Sequence, residues 1–356
     1  MTPGEVVPDR VPYYLLLAGG PGRIPFDVQY RLGAEYAVGR LDLGTAGLER
    51  YVASLRSAER GDGVPRRRSA AFFASRHPGD RSTQLSADAL VRPLAEGAPP
   101  ERGRPAERPV AERWGFGTLP FLGASATKAN LCDLLTGRDP AAAPALLFSA
   151  THGVAWPASD PDQPAKQGAL LCQDWPGPGK VGPEHYVAAA DLPADLDARG
   201  LVTFHFACYG AGTPLEDSFM HREGRPPARI AAAPFVARLP AALLSAPNGP
   251  ALAVIGHVDR AWGYSIGGKV AGPQLQRFRN AVGRILTGQP VGLALLDFRD
   301  AYTALSVDLA NLLGKLRVGA TIPDEKLAAT WIGRNDAQSY VLLGDPAARL
   351  PVGALA

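Results

Sequence analysis

Two runs of mainly apolar residues, each followed at once by a short polar segment, constrain the fold of this chain most strongly. Residues 145–150 are followed, after a single threonine, by His152, and residues 201–207 lead directly into Cys208. Such short apolar runs are typical of strands that are buried within a parallel sheet. Open α/β sheets hold their reactive groups at the carboxyl ends of these strands. The pattern therefore places His152 and Cys208 at the edge of the sheet where the reactive groups of such folds lie.

The rest of the chain alternates between strand-like and helix-like patterns. Apolar patterning predicts further strands over residues 11–18, 69–74, 170–175, 250–256 and 340–343. It predicts helices over residues 47–60, 86–94, 228–244, 274–286 and 291–316. This alternation predicts an α/β fold, with a mainly parallel sheet and helices on both faces. Residues 96–113 lack apolar periodicity and are crowded with Pro, Gly, Arg and Glu, which predicts a solvated, flexible loop.

The composition excludes several classes of protein. A formal charge of +3 on 356 residues is too small to indicate nucleic acid as the main partner. The longest apolar stretches are far shorter than a membrane span, and the first residues lack the basic and apolar regions of a signal peptide. The 3 cysteines are too few for a disulfide framework and lack metal-ligand spacing. We expect a cytoplasmic protein that binds neither nucleic acid directly nor membranes.

A thiol and an imidazole at two strand ends suit a nucleophile and its base. A single cysteine is usually an inert packing residue, and a single histidine is usually structural, but this pair is more specific. Gly153 follows His152 directly, and Gly210 closely follows Cys208. Glycine permits a tight turn and lets a substrate approach the backbone. Three other residues lack this context, and we interpret them as packing residues: Cys132, Cys172 and His205.

These elements resemble the clan CD cysteine peptidases, whose caspase-like fold is shared by caspases, gingipains, separase and CHAT-domain proteins. The diagnostic segments are residues 151–153, Thr-His-Gly, and residues 207–214, Ala-Cys-Tyr-Gly-Ala-Gly-Thr-Pro. Weaker similarity to gingipain-type sequences extends over residues 13–25, 38–40, 249–264 and 340–346. The resemblance implies one caspase-like peptidase domain over residues 1–356, with residues 1–95 as an N-terminal subdomain and residues 114–350 as the catalytic part. Because the chain begins almost at its first strand, we expect any upstream subdomain of the gingipain type to be missing or to lie on another polypeptide.

The resemblance also implies a role for each diagnostic segment. Cys208 would attack a peptide carbonyl as a thiolate and form a thioester. His152 would deliver a proton to the leaving amine. The backbone N–H groups of Gly153 and Cys208 would line the oxyanion hole. This chemistry requires no metal or organic cofactor.

Specificity would depend on S1, the pocket for the residue before the scissile bond. In gingipain-like relatives an acidic residue at the base of S1 binds Arg or Lys, and a tryptophan covers the pocket. Trp262 matches that tryptophan, and Asp80 and Asp259 are the candidates for the acid, so the resemblance favours cleavage after Arg or Lys. Glu216 and Asp217 are weaker candidates. A caspase-type preference for Asp would instead need arginines in the pocket, and three lie close enough to keep that open: Arg76, Arg81 and Arg260.

The function predicted on these grounds is a regulated cysteine endopeptidase of restricted specificity, acting on a protein or peptide substrate. Because a cytoplasmic protease must be restrained, we also expect a regulatory protein, a processing step or a ligand. One alternative is a catalytically silent caspase-like scaffold or binding module. Another is an amidase or acyltransferase with a cysteine nucleophile. That second class favours a G-x-C-x-G turn, and Phe206 stands here where the first glycine would be.

Overall fold

The centre of the protein is an eight-stranded, mainly parallel sheet. The computed structural model describes residues 10–62, 64–100, 105–139, 142–220, 224–268 and 272–356. The sheet strands lie side by side in the order β1-β2-β8-β7-β6-β5-β3-β4, and every neighbouring pair is parallel except β7 with β8. In chain order they are β1 (Tyr14–Ala18), β2 (Ala37–Leu41), β3 (Arg67–Ala74), β4 (Gly117–Leu122), β5 (Pro144–Ala150), β6 (Val202–Phe206), β7 (Ala253–His257) and β8 (Tyr340–Gly344).

Helices connect most of these strands. Within the described residues they are α1 (Phe26–Leu32), α2 (Thr45–Arg60), α3 (Arg81–Leu85), α4 (Arg92–Ala95), α5 (Lys128–Thr136), α6 (Gln163–Lys166), α7 (Arg238–Leu244), α8 (Leu275–Leu286), α9 (Leu296–Arg317) and α10 (Asp324–Gln338). A wider helical turn, Ser86–Val91, joins α3 to α4. None of the helices in the described part of the chain is both long and apolar enough to cross a membrane.

Alternate side chains of the strands pack into two hydrophobic cores, one on each face of the sheet. On one face Phe148 of β5 stacks on Phe204 of β6, with ring centroids 5.0 Å apart, and Phe278 of α8 packs edge-on against both rings. On the other face Phe73 and Leu147 belong to a second core, to which α5 and α7 contribute. The predicted fold class is therefore confirmed, and the arrangement is consistent with a caspase-like fold.

The register of three strands brings their carboxyl ends to one edge of the sheet. Ala150 at the end of β5 pairs with Ala74 of β3 on one side and with Phe206 of β6 on the other. The chain therefore leaves all three strands at the same level. Because β5 and β6 are in register, His152 and Cys208 occupy equivalent positions just beyond them.

Several elements differ from the predicted ones. The predicted helix over residues 228–244 is wrong before Arg238, because only Arg238–Leu244 is helical and Phe235–Val236 pairs as a strand with Gly212–Thr213. Pro234 accounts for part of the difference, since proline lacks an amide hydrogen and disfavours helical conformation in the residue before it. The predicted strand over residues 170–175 is limited to Leu170–Leu171. Five helices, α1, α3, α5, α6 and α10, and two strands of the sheet, β2 and β4, were not predicted.

The segment 96–113 is less exposed than its composition predicts. Ala98 and Glu107 exchange two backbone hydrogen bonds of 3.0 and 2.8 Å. Val110 and Ala111 are buried in the core on the α8 face of the sheet. The prediction of a fully solvated loop is therefore wrong at these two residues, because their apolar side chains pack into the core. Residues 101–104 lie outside the described residues, and the flexibility of the segment stays a prediction.

Both predicted parts of the chain contribute strands to one sheet. Strand β3, from residues 1–95, lies between β5 and β4, which belong to residues 114–350. The boundary between a subdomain and a catalytic part stays a prediction.

Candidate active site

A sharp turn after β6 presents the Cys208 side chain. The Gly210 N–H donates to the Ala207 carbonyl over 3.2 Å, and Tyr209 between them has a φ of 58°. Residues with a side chain adopt such a φ at some cost, so other contacts must hold the turn. One of these is the Tyr209 N–H, which donates to the Asp259 carbonyl over 2.7 Å. The turn therefore depends on the loop that follows β7.

The Cys208 thiol is half-buried. Burial raises its pKa to about 11, and the thiol donates to the Ala261 carbonyl, 3.8 Å from Sγ. The thiol is therefore protonated at neutral pH, and it needs a base to become a nucleophile.

The imidazole of His152 is paired with a carboxylate. His152 Nε2 lies 2.6 Å from Asp80 Oδ2, and the second oxygen of Asp80 accepts a 3.0 Å hydrogen bond from the Ser82 N–H. Burial acts to raise the pKa of Asp80, but the charge and hydrogen bond of His152 outweigh it, and the pKa is lowered overall. Asp80 thus stays ionised and holds the imidazole of His152 in place.

A second histidine beside this pair is of a different kind. His77 is buried, and its ring meets Trp175 edge-on at 5.0 Å between centroids. Burial lowers the pKa of His77, so the ring is neutral at physiological pH. Its nitrogens have no hydrogen-bond partner among the described residues. His77 therefore adds no positive charge next to His152.

Gly153 brings two backbone chains into close contact. A Cβ atom at Gly153 would lie 1.7 Å from the Cys208 carbonyl oxygen, so a side chain at this position has no room. The N–H groups of Gly153 and Cys208 donate to no acceptor in the part of the chain that the structure describes. Two free donors on adjoining strand ends are what an oxyanion would need.

A cavity of about 120 Å³ opens beside these groups. Cys208 and His152 line it together with Phe206, and its two side walls come from other segments. We call residues 80–86 the helical wall and residues 259–266 the tryptophan wall. The cavity contacts Ser82, Thr83, Leu85 and Ser86 on the first and Ala261, Trp262, Gly263 and Ile266 on the second.

Only one of the three predicted S1 residues lines this cavity. Trp262 does, but Asp80 is held by His152 and by the start of α3. Asp259 is 1% exposed, and its carboxylate accepts hydrogen bonds from the Ser218 hydroxyl and the Arg260 N–H, each 2.7 Å long. Neither aspartate therefore lines this cavity, and a role for either at the floor of the S1 pocket stays a prediction. Asp80 supports the histidine, and Asp259 supports the turn at Cys208.

Of the other charged candidates, Arg260 and Asp217 are paired with each other. The Arg260 guanidinium donates to Asp217, which also caps the Phe219 N–H over 2.8 Å. Arg76 pairs with Asp88 at 3.0 Å. The remaining two, Glu216 and Arg81, do not contact the cavity.

Sequence reasoning missed the residues that hold the tryptophan wall. Asp336 of α10 accepts a 2.8 Å hydrogen bond from the Trp262 N–H and another from the Ser265 hydroxyl. His257 Nε2 lies 3.2 Å from the same carboxylate. Neighbouring Asn335 donates to the Ser218 carbonyl over 2.6 Å, in the loop that follows Cys208. The sequence would have indicated this contact only if α10 had been predicted and Asp336 had been recognised as a buried acid within it.

The residues interpreted as packing groups lie inside the protein. His205 is buried within β6, bonded to Ser149 over 2.7 Å, and burial lowers its pKa to about 4. Cys132 and Cys172 pack in the core formed with α5, and burial raises the pKa of both thiols. Among the described residues no group of three or more His, Cys, Asp or Glu side chains is placed to hold a metal ion.

No family model matches this chain, and no curated protein matches it. A solved structure described as "Structure of Protease" is 11% identical to the chain, with a TM-score of 0.49. The match covers 95% of this chain and 64% of the other, so this chain spans less than two-thirds of the other's length. A likeness at this level carries no argument about activity.

Proposed function

We propose that this protein is a cysteine endopeptidase, with Cys208 as nucleophile and His152 as the group that moves the proton. The observation that carries the proposal is that two reactive side chains line one cavity: the Cys208 thiol beside a strained turn and the His152 imidazole paired with a carboxylate. The adjoining N–H groups of Gly153 and Cys208, which have no acceptor among the described residues, add to it. The family resemblance of residues 151–153 and 207–214 supports the same assignment.

Each residue then has a defined part in peptide hydrolysis. Cys208 Sγ forms a bond to the carbonyl carbon while its proton passes to His152, and Asp80 stabilises the resulting imidazolium. The N–H groups of Gly153 and Cys208 donate to the oxyanion. When the carbonyl re-forms, the C–N bond breaks and His152 gives its proton to the leaving amine. Water then attacks the thioester, which releases the acid and restores the thiol.

The expected preference for Arg or Lys is not part of this proposal. A basic side chain in S1 needs a carboxylate, and neither Asp80 nor Asp259 lines the cavity. A protein or peptide substrate and a regulatory partner remain proposals based on the family resemblance.

Substitution of Cys208 and His152 tests the proposal. Hydrolysis of a mixed fluorogenic peptide library should fall to background in Cys208→Ala and to near background in His152→Ala. The double variant should add little, because residues that act as a unit are not additive. Cys132→Ala, which removes another half-buried thiol, is the matched control and should retain activity. Hydrolysis by Cys208→Ala at the wild-type rate, with circular dichroism unchanged, would overturn the assignment.

A further inference from the structure

The cavity beside Cys208 lacks the charges that would recognise a charged substrate side chain. Among the described residues that line it, the ionisable groups are His152 and Cys208 themselves. Phe206, Ala261 and Ile266 supply apolar surface. Neither a carboxylate nor a guanidinium of the described residues contacts the space next to the thiol.

The hydroxyl groups of the lining are mostly engaged. Thr83 donates to the Asp80 carbonyl and Ser86 to the Thr83 carbonyl, over 3.3 and 3.1 Å. Thr151 donates to the Leu171 carbonyl. Because these donors are turned towards the backbone, they are unavailable to solvate an anionic side chain in the cavity.

The charged groups near the cavity are also neutralised in place. Arg260 is bonded to Asp217, while Asp259 and Asp336 each accept several hydrogen bonds from the surrounding loops. Freeing any of them for a substrate would leave a buried partner unpaired, which is costly.

We propose that this cavity is S1 and that it selects an uncharged side chain before the scissile bond. The inference rests on the proposed function, because S1 has meaning only if Cys208 attacks a peptide carbonyl. When Sγ attacks that carbonyl carbon, the side chain of the residue before the scissile bond lies only a few bonds away from Sγ. This cavity is the space beside the thiol that such a side chain would enter. At its rim Leu85 is 40% exposed, a position from which it would contact an apolar side chain. The buried indole N–H of Trp262 has no acceptor in the described part of the chain, so it is available to donate to the side-chain carbonyl of a Gln in the cavity.

Covalent probes that differ only at this position test the inference on the full chain. Peptidyl acyloxymethyl ketones with Leu, Gln, Arg, Lys or Asp before the reactive carbon would be followed by the intact mass of the Cys208 adduct. The Leu or Gln probe should react at least roughly 100-fold faster than the charged probes, because a buried unpaired charge is strongly disfavoured. Fastest labelling by the Arg, Lys or Asp probe would overturn the inference while leaving the proposed endopeptidase standing. No labelling by any probe, together with no hydrolysis of the peptide library, would overturn both.

A charge placed in the cavity provides a second test. Leu85→Asp should slow the Leu probe and speed the Arg probe, each by about tenfold. Leu48→Asp is the matched control, since Leu48 is 39% exposed on α2 and lies outside the cavity lining. It should change neither rate. Equal behaviour of the two variants would mean that the cavity is not S1.

Discussion

The two walls of the cavity beside Cys208 are held in different ways. Hydrogen bonds within residues 80–86, from Ser82 to Asp80 and from Ser86 to Thr83, hold the helical wall. The tryptophan wall is tied to Asp336, 74 positions beyond Trp262 in the chain. The hydrogen bonds that shape the helical wall thus lie within a short stretch of sequence, although its Asp80 also reaches His152, whereas the tryptophan wall depends on a contact with a distant helix. Substitutions in the helical wall should affect catalysis more than stability, and substitutions in the tryptophan wall should affect both.

The largest effect is expected at the carboxylate of the helical wall. Asp80→Asn should lower kcat/KM by about 100- to 10,000-fold, because His152 loses the group that orients it and stabilises its charged form. The loss should fall mainly on kcat, with little change in the unfolding midpoint in urea. Asp88→Asn, in the helical segment that follows α3, is the control and should remain active. If Asp80→Asn has wild-type kcat, the pairing with His152 has no catalytic role.

A smaller effect is expected at the anchor of the tryptophan wall. Asp336→Asn should lower kcat/KM by about tenfold, mainly through KM, because Trp262 then borders the cavity less firmly. It should also lower the free energy of unfolding by about 1–3 kcal/mol, since the carboxylate's buried hydrogen bonds from the Trp262 N–H and the Ser265 hydroxyl are weakened. Steady-state kinetics and urea denaturation measure the two effects. A kinetic defect larger than that of Asp80→Asn would reverse the comparison between the walls.

The smallest effect concerns the thiol that lies between the walls. Because burial raises the pKa of Cys208 to about 11, its alkylation by iodoacetamide should continue to speed up above pH 9. In urea-unfolded protein the rate should level off near the ordinary thiol value of about 8.5. Asp336→Asn should move the folded profile towards lower pH, since a looser tryptophan wall admits water. Peptide mapping after timed alkylation gives these rates, and a plateau below pH 7 in wild type would show a preformed thiolate instead.

Much of the sheet could be predicted because its strands have a local signature. The runs ending at Ala150 and Phe206 are mainly apolar, as is typical of strands that helices cover on both faces. Helix α10 was missed because its polar residues Asn335 and Asp336 are buried by tertiary contacts. In the sequence alone they weaken the apolar periodicity that predicts a helix.

The site could be predicted in part for the same reason. His152, Gly153 and Cys208 follow directly from strand ends, and the register of β5 and β6 brings those ends together. The contacts that Asp80 and Asp259 make with His152 and Ser218 could not be predicted, because the direction of a side chain in a loop depends on its neighbours in space. A clue for Asp80 did exist. It follows a predicted strand, and aspartate is a residue that commonly caps the start of a helix by accepting a hydrogen bond from an N–H of the first turn.

The sequence by itself determined most of the strands, the mainly parallel sheet and the placing of a thiol and an imidazole at its carboxyl edge. These depend on apolar runs and on glycines, which act over a few residues. Only the tertiary structure decided which charges face the cavity. Asp80 meets His152 across two neighbouring strand ends, Asp259 turns inward to Ser218, and Asp336 reaches Trp262 from a distant helix. Such contacts join residues far apart in the chain, so they follow from packing and not from any local pattern.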